Sequence, residues 1–178
     1  MTYLLIAYIF IALLFLVLAS IVFWSLKNGI SPMPTSRKAK NTILAFIPKK
    51  FSGRIYELGS GWGSLVIPLG KEFPESTITG YETSPIPYAI SKMWVKLSGL
   101  HNIQLKRADF FETPLEDAAI VVCYLFPGAM RKLKGKFENE LKPGTLVITN
   151  TFAIPGWQPL QVTNTQDLYN TKVYLYKV

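Results

Sequence analysis

Between Tyr3 and Trp24 the chain carries no charged side chain, and Ser20 is the one residue there outside the apolar set. About 20 such residues are what a helix needs to cross the hydrocarbon core of a bilayer. A helix buried in a globular core is rarely apolar on every face. A cleaved signal peptide would open on a basic segment and hold a shorter apolar stretch of ~7–15 residues. No Lys or Arg precedes Tyr3. The run therefore predicts a membrane anchor over residues 1–26, and the rest of the chain is expected to work beside a bilayer.

The charge pattern gives that anchor a direction. Lys27, Arg37, Lys38, Lys40, Lys49 and Lys50 follow it, with no acidic residue between 27 and 50. Basic residues beside a membrane span stay on the cytoplasmic side. The expectation is a single-pass protein with its larger part in the cytoplasm. Each such charge near anionic lipid is worth about 1 kcal/mol, and a formal net charge of +8 fits that surface. Nucleic acid is the other common partner of a basic chain, but no recognisable binding module accompanies the charge. Cys123 is the only cysteine, which excludes an intrachain disulfide, and His101 the only histidine. That scarcity argues against a zinc site, so no metal is expected. The stretch "GSGWG" also lacks the Gly-x-Ser-x-Gly spacing of a hydrolase nucleophile.

Past the anchor, "KNGISPMPTS" reads as a linker over residues 27–36, and residues 37–178 as one domain. Ser36 or Thr35 is placed to cap a short helix with an apolar stripe of Ile43, Leu44, Phe46 and Ile47. From Arg54 strands and helices alternate. "RIYEL", "STITGYE", "NIQLKRAD", "AAIVVCYLF" and "TLVITNTF" read as strands. A helical stretch from Trp62 to Phe73 and the segments "PIPYAISKMWVKLSG" and "GAMRKLKGKFENELKPG" read as helices. "LQVTNT" and "TKVYLYKV" form an antiparallel pair at the end. Alternation of this kind predicts an α/β fold with a doubly wound, mostly parallel sheet. Pro68 conflicts with a helix running from Trp62 to Phe73, so that helix is either bent or short.

In doubly wound sheets ligands bind at the carboxyl ends of the strands. Four features should meet there. The first is "YELGSGWGS", in which Gly59 and Gly61 let the backbone turn sharply and approach a ligand. A dinucleotide loop requires Gly-x-Gly-x-x-Gly, but its third position falls on Ser64 or Val66. Glu57, ahead of the glycines, would repel a pyrophosphate and suit a cationic group. The second feature is Glu82, ending the second strand, whose carboxylate can accept bonds from two ribose hydroxyls. The third is Asp109 with Phe110, an acceptor for an exocyclic amine beside a ring that can pack on a purine. The fourth is "CYLFPG", leaving the fourth strand.

With these motifs the chain resembles the class I S-adenosylmethionine-dependent methyltransferases. "YELGSGWG" looks like their first motif, "TGYE" their ribose-binding acid and "ADFF" their adenine-contacting segment. The resemblance covers residues ~35–178 and implies a Rossmann-like seven-stranded sheet with the last strand antiparallel. It also implies S-adenosylmethionine as cofactor, held by Glu57, Gly59, Ser60, Gly61, Glu82, Asp109 and Phe110. A closer likeness is to small membrane-anchored protein-lysine methyltransferases, through the leading apolar segment, the "PMPTS" arm and "FAIPGWQP". It implies that Pro34 and Thr35 close over the methionine end. "CYLFPG" lacks the Asn/Asp-Pro-Pro-aromatic motif of enzymes that methylate nucleobases and glutamine. Tyr124, Phe126 and Pro127 are therefore expected to line an acceptor pocket, for a lysine of a membrane-associated protein. A lipid or small apolar molecule is the alternative acceptor. Outside this class stand a nucleotide-dependent oxidoreductase, against which the missing third glycine argues, and a non-catalytic cofactor-binding scaffold.

Overall fold

The computed structural model describes residues 2–178. Helix α1 (Thr2–Asn28) is followed by α2 (Arg37–Phe46), β1 (Arg54–Leu58), α3 (Val66–Glu72), β2 (Thr77–Tyr81), α4 (Pro85–Ser98) and β3 (Ile103–Lys106). Then come β4 (Ile120–Cys123), α5 (Pro127–Glu140), β5 (Leu146–Asn150), β6 (Gln161–Asn164) and β7 (Lys172–Lys177). The strands form one sheet in the order β3-β2-β1-β4-β5-β7-β6. The first five are parallel; β7 pairs antiparallel with both β5 and β6. This is the expected doubly wound, seven-stranded arrangement.

Strand periodicity divides the core into two layers. Ile55, Ile78, Ile120, Val122 and Ile148 face α2 and α3. Tyr56, Leu58, Tyr81, Val121 and Cys123 face α5, through Met130, Leu133 and Phe137. Burial alone pushes the Cys123 thiol up to about 12, so it stays protonated and packs as a small apolar group. The chain order reverses between β1 and β4, which opens a crevice at their carboxyl ends.

Three local readings change. Residues 62–65 form turns and α3 starts only at Val66. Pro68 thereby falls in the first turn, where an N–H has no intrahelical partner to lose, so the helix is short rather than bent. Strand β3 stops at Lys106, leaving Asp109 in the loop beyond it instead of at the strand end. Helix α1 continues to Asn28, two residues beyond the expected end of the anchor. Ser36 is the cap of α2, its Oγ accepting from the Ala39 amide at 3.1 Å.

Candidate active site

A cavity of about 260 Å³ occupies the crevice. Each wall comes from the residues following one strand. β1 supplies Glu57 and the Gly59–Gly61 loop, and β2 supplies Glu82, Thr83 and Ser84. The loop after β3 gives Asp109, Phe110 and Phe111, and the exit of β4 gives Tyr124, Leu125 and Phe126.

Glu57 alternates with Tyr56 and Leu58 along β1, so it points to the α3 side, where the core is otherwise apolar. It is only 6% exposed, and its Oε2 has no hydrogen-bond partner among the described residues. Burial first, and the Glu82 carboxylate second, push its carboxyl well above the ordinary carboxylate range; the Val66 amide at the start of α3 pulls the other way. Beside it the Ser60 hydroxyl is also buried without a partner among the described residues. Room for Ser60 and Val66 comes from Gly80, which pairs with Glu57 across β1 and β2. A Cβ on Gly80 would meet Val66 Cγ1 at 2.9 Å and Ser60 Cβ at 3.1 Å. Buried polar atoms in native structures normally have partners. Two orphans facing one cavity are what a ligand with a cationic, hydrogen-bonding end would satisfy.

The loop between β1 and α3 is held open by Glu82. Its Oε2 accepts from the Gly61 amide at 2.8 Å and its Oε1 from the Ser84 amide at 2.7 Å. Gly59 and Gly61 adopt φ of 79° and 52°, left-handed values that suit a residue without Cβ. Each Glu82 oxygen retains a second lone pair for a ligand hydroxyl. Glu82 is 6% exposed, so it is no surface cap. Asp109 is exposed; its Oδ1 accepts from the Phe111 amide at 2.9 Å, and the Phe110 and Phe111 rings lie 4.6 Å apart.

The roof is made by the chain joining α1 to α2. Lys27, Asn28, Ile30, Pro32, Met33 and Thr35 all line the cavity. Four side-chain hydrogen bonds hold this arm down. Asn28 Nδ2 donates to Thr83 Oγ1 at 2.9 Å and Ser84 Oγ at 3.1 Å. Trp62 Nε1 donates to the Pro32 carbonyl at 2.5 Å. The Thr35 amide donates to Ser64 Oγ at 3.3 Å. The residues expected to be a linker are therefore part of the site. Phe126 packs its ring against Gly29 at the end of α1.

Twelve sequence-predicted positions can be located individually. Thr35, Glu57, Gly59, Ser60, Gly61, Glu82, Asp109, Phe110, Tyr124 and Phe126 come together around the cavity, whereas the exposed Pro34 does not line it. Pro127, the twelfth, sits exposed at the first turn of α5 and likewise faces away. Prolines in both places serve backbone geometry: an arm that must not become helix, and a helix start where a missing N–H is harmless. Sequence reasoning missed Asn28, Trp62 and Ser64, because their partners lie about thirty or more residues away.

Comparison with known proteins bears on these motifs. Residues 57–161 match the model of the ANTKMT methyltransferase domain. A protein-lysine N-methyltransferase of Saccharolobus islandicus is 30% identical over 148 residues, 82% of this chain and 92% of that one. The adenine nucleotide translocase lysine N-methyltransferase of Mus musculus is 28% identical over 111 residues, 62% of this chain and 48% of its own length. Among solved structures, an RNA methyltransferase from Salinibacter ruber in complex with S-adenosyl-L-homocysteine superposes with a TM-score of 0.74 and 26% identity, over 82% of this chain and 94% of that one. The orphaned Glu57 and Ser60, the left-handed glycine loop and the twice-bonded Glu82 lie within that matched span, and the cofactor is S-adenosylmethionine. This chain belongs to the ANTKMT methyltransferase domain family, within the class I S-adenosylmethionine-dependent methyltransferases.

Proposed function

We propose that the chain transfers a methyl group from S-adenosylmethionine to the ε-amino group of a lysine in a protein held in, or at, the membrane that α1 spans. The observation that carries the membrane part is the position of Lys27 and Asn28. They end the apolar helix and line the cavity, so the site opens within one helical turn of the anchor. Helix α1 is long and apolar enough to cross a bilayer, and none of its residues is buried against the rest of the chain. The lysine part is supported by the two relatives, each named for lysine N-methylation.

In this reading Glu57 and Ser60 hold the amino-acid end of the cofactor, with Thr35 closing over it. The Gly59–Gly61 loop lies against its middle and Glu82 takes the ribose hydroxyls. Asp109 accepts from the adenine amine, and Phe110 packs on the base. When bound, the cofactor supplies a methyl group on a sulfonium, ready for in-line displacement. Everything else is positioning and solvent exclusion by the chain. The acceptor must present a neutral amine, while a free lysine has a pKa of ~10.4. Met33, Phe111, Leu125 and Phe126 give the cavity an apolar wall, which favours the neutral form. Tyr124 stands where the strand exit meets that wall and orients the amine.

The test is labelled S-adenosylmethionine added, with the full-length protein, to membranes from cells lacking the gene. Label is expected in protein and, after hydrolysis, in methyl-lysine. Label in the lipid extract would replace the acceptor with a lipid, and label in RNA would replace it with a nucleic acid. The basic residues after α1 support a cytoplasmic catalytic part in this reading. A protease-sensitive tag after Val178 should survive protease added to sealed cells, and its digestion from outside would reverse the topology.

A further inference from the structure

Helix α4 is apolar on two sides. Pro87, Ser91 and Val95 turn inward, with Pro87 and Ser91 buried and Val95 packed on the core. At 100° per residue, Ile86, Ala89, Ile90, Met93 and Leu97 fall on the opposite side, and Trp94 at its edge. Met93 is 49% exposed, Trp94 51% and Leu97 69%. A water-facing helix side is expected to be polar; this one carries its charge only as Lys92 and Lys96 along one border. Neither α4 nor α1 contains an acidic residue.

What covers this side is indicated by its neighbour. The end of α1 packs against α4, and Asn28 is bonded to Thr83 and Ser84, the two residues that lead into it. Arg107 Nε donates to the Thr83 carbonyl, adding a further cation at the same corner. Lys27 lies over the Trp24 ring at 4.6 Å, a Trp–Lys pair at the C-terminal end of α1. Trp and Lys at a helix border are the residues that settle at a membrane interface, ring at headgroup level and ammonium toward water. An apolar stripe bordered by lysines, continuous with a membrane helix and free of acid, is complementary to a bilayer surface containing anionic lipid.

We propose that the outward side of α4, centred on Met93, Trp94 and Leu97, lies in the interface of the bilayer that α1 spans. The proposal rests on the anchored reading above and adds to it. One span leaves the domain free to rotate about α1 and tilt from the membrane. A second contact about 5–10 Å deep, along a helix of about 21 Å, removes that freedom. It would keep the end of α1 that lines the cavity, Lys27 and Asn28, at headgroup level, so that acceptor lysines close to the membrane surface are reached and distant ones are not.

The test uses the full-length chain in sealed vesicles of phosphatidylcholine and phosphatidylglycerol. An environment-sensitive fluorophore is attached to a cysteine introduced singly by Leu97→Cys, Leu14→Cys or Asn139→Cys. Cys123 is buried and stays unlabelled. Asn139 is exposed on α5, across the sheet from α4. The Leu97 site should shift to the blue and lose fluorescence to lipids spin-labelled near the headgroup, the Leu14 site to lipids spin-labelled deep in the chains, and the Asn139 site to neither. If the Leu14 site is quenched while the Leu97 site behaves like Asn139, α4 docking is overturned and the anchor stands. If the Leu14 site is unquenched, the anchor reading fails and docking with it. A Leu97 signal that follows protein density rather than quencher would mean a second copy covers the face, which also overturns the proposal.

Discussion

Replacing Glu57 with Gln should weaken S-adenosylmethionine binding by about 10- to 150-fold, the range expected for loss of a hydrogen bond to a charged partner, and should raise the melting temperature of the ligand-free protein. The two effects have one origin. Without ligand, Glu57 is a buried carboxyl with an unpartnered oxygen and a second carboxylate, Glu82, nearby. Its folded-state pKa is raised above the unfolded one, so its proton is held more tightly in the folded protein. Ligand-free stability is then fullest below the unfolded value of ~4.5 and falls as pH rises through the folded value. Gln keeps the shape and removes the charge, so this pH dependence should flatten. Each kcal/mol recovered is worth about 2–4 °C in a chain of this size. Calorimetric binding with thermal unfolding at pH 5 and pH 8, on the full-length chain in detergent, reads all three quantities. Unchanged affinity would remove Glu57 from the cofactor site, and an unchanged pH profile would contradict its buried charge.

The same residue explains which parts of the molecule its sequence discloses. The strand-helix alternation survived folding because the central strand β4 reads as apolar on both faces and Gly99 and Pro143–Gly144 mark where α4 and α5 stop. Glu57 stood out because a carboxylate in "RIYEL" breaks an otherwise apolar run just before three glycines. Other features have no local signature. Trp62 and Ser64 look like the start of a helix, but they hold an arm that is distant in the chain. Asn28 looks like one more linker residue, yet it joins the end of α1 to the residues that lead into α4. Gly80 reads as an interruption of a strand, and only the β1–β2 register places its missing Cβ next to Glu57, where it makes space for Ser60 and Val66. Pro34 and Pro127 lie next to site residues in sequence and face away in space. Adjacency along the chain locates a segment; the direction of each side chain is decided by packing.

Glu82→Ala should have the second large effect, and on two quantities. As a ribose acceptor alone, Glu82 would contribute only to binding. Instead its two oxygens already accept from Gly61 and Ser84, joining the glycine loop to the start of α4. Alanine removes both acceptors and leaves the buried Ser84 amide without a partner. Leaving such a group unsatisfied costs about 1–3 kcal/mol and each lost bond to a charge about 1.5–3 kcal/mol, so a fall in stability of roughly 2–5 kcal/mol is expected. Binding should fall by more than the 10- to 150-fold of about two ribose bonds, because the loop that receives the cofactor also loses its support. Gln should not rescue, since its NH2 would meet one of the two amide donors face to face. The pair of measurements separates the roles. A lower melting temperature with unchanged affinity would make Glu82 a structural strut only. Lost affinity at an unchanged melting temperature would make it a ligand contact only. Loss of both is what a carboxylate shared between loop, helix and ribose requires, and it would tie the shape of the cofactor site to the same corner of α4 that receives the end of α1.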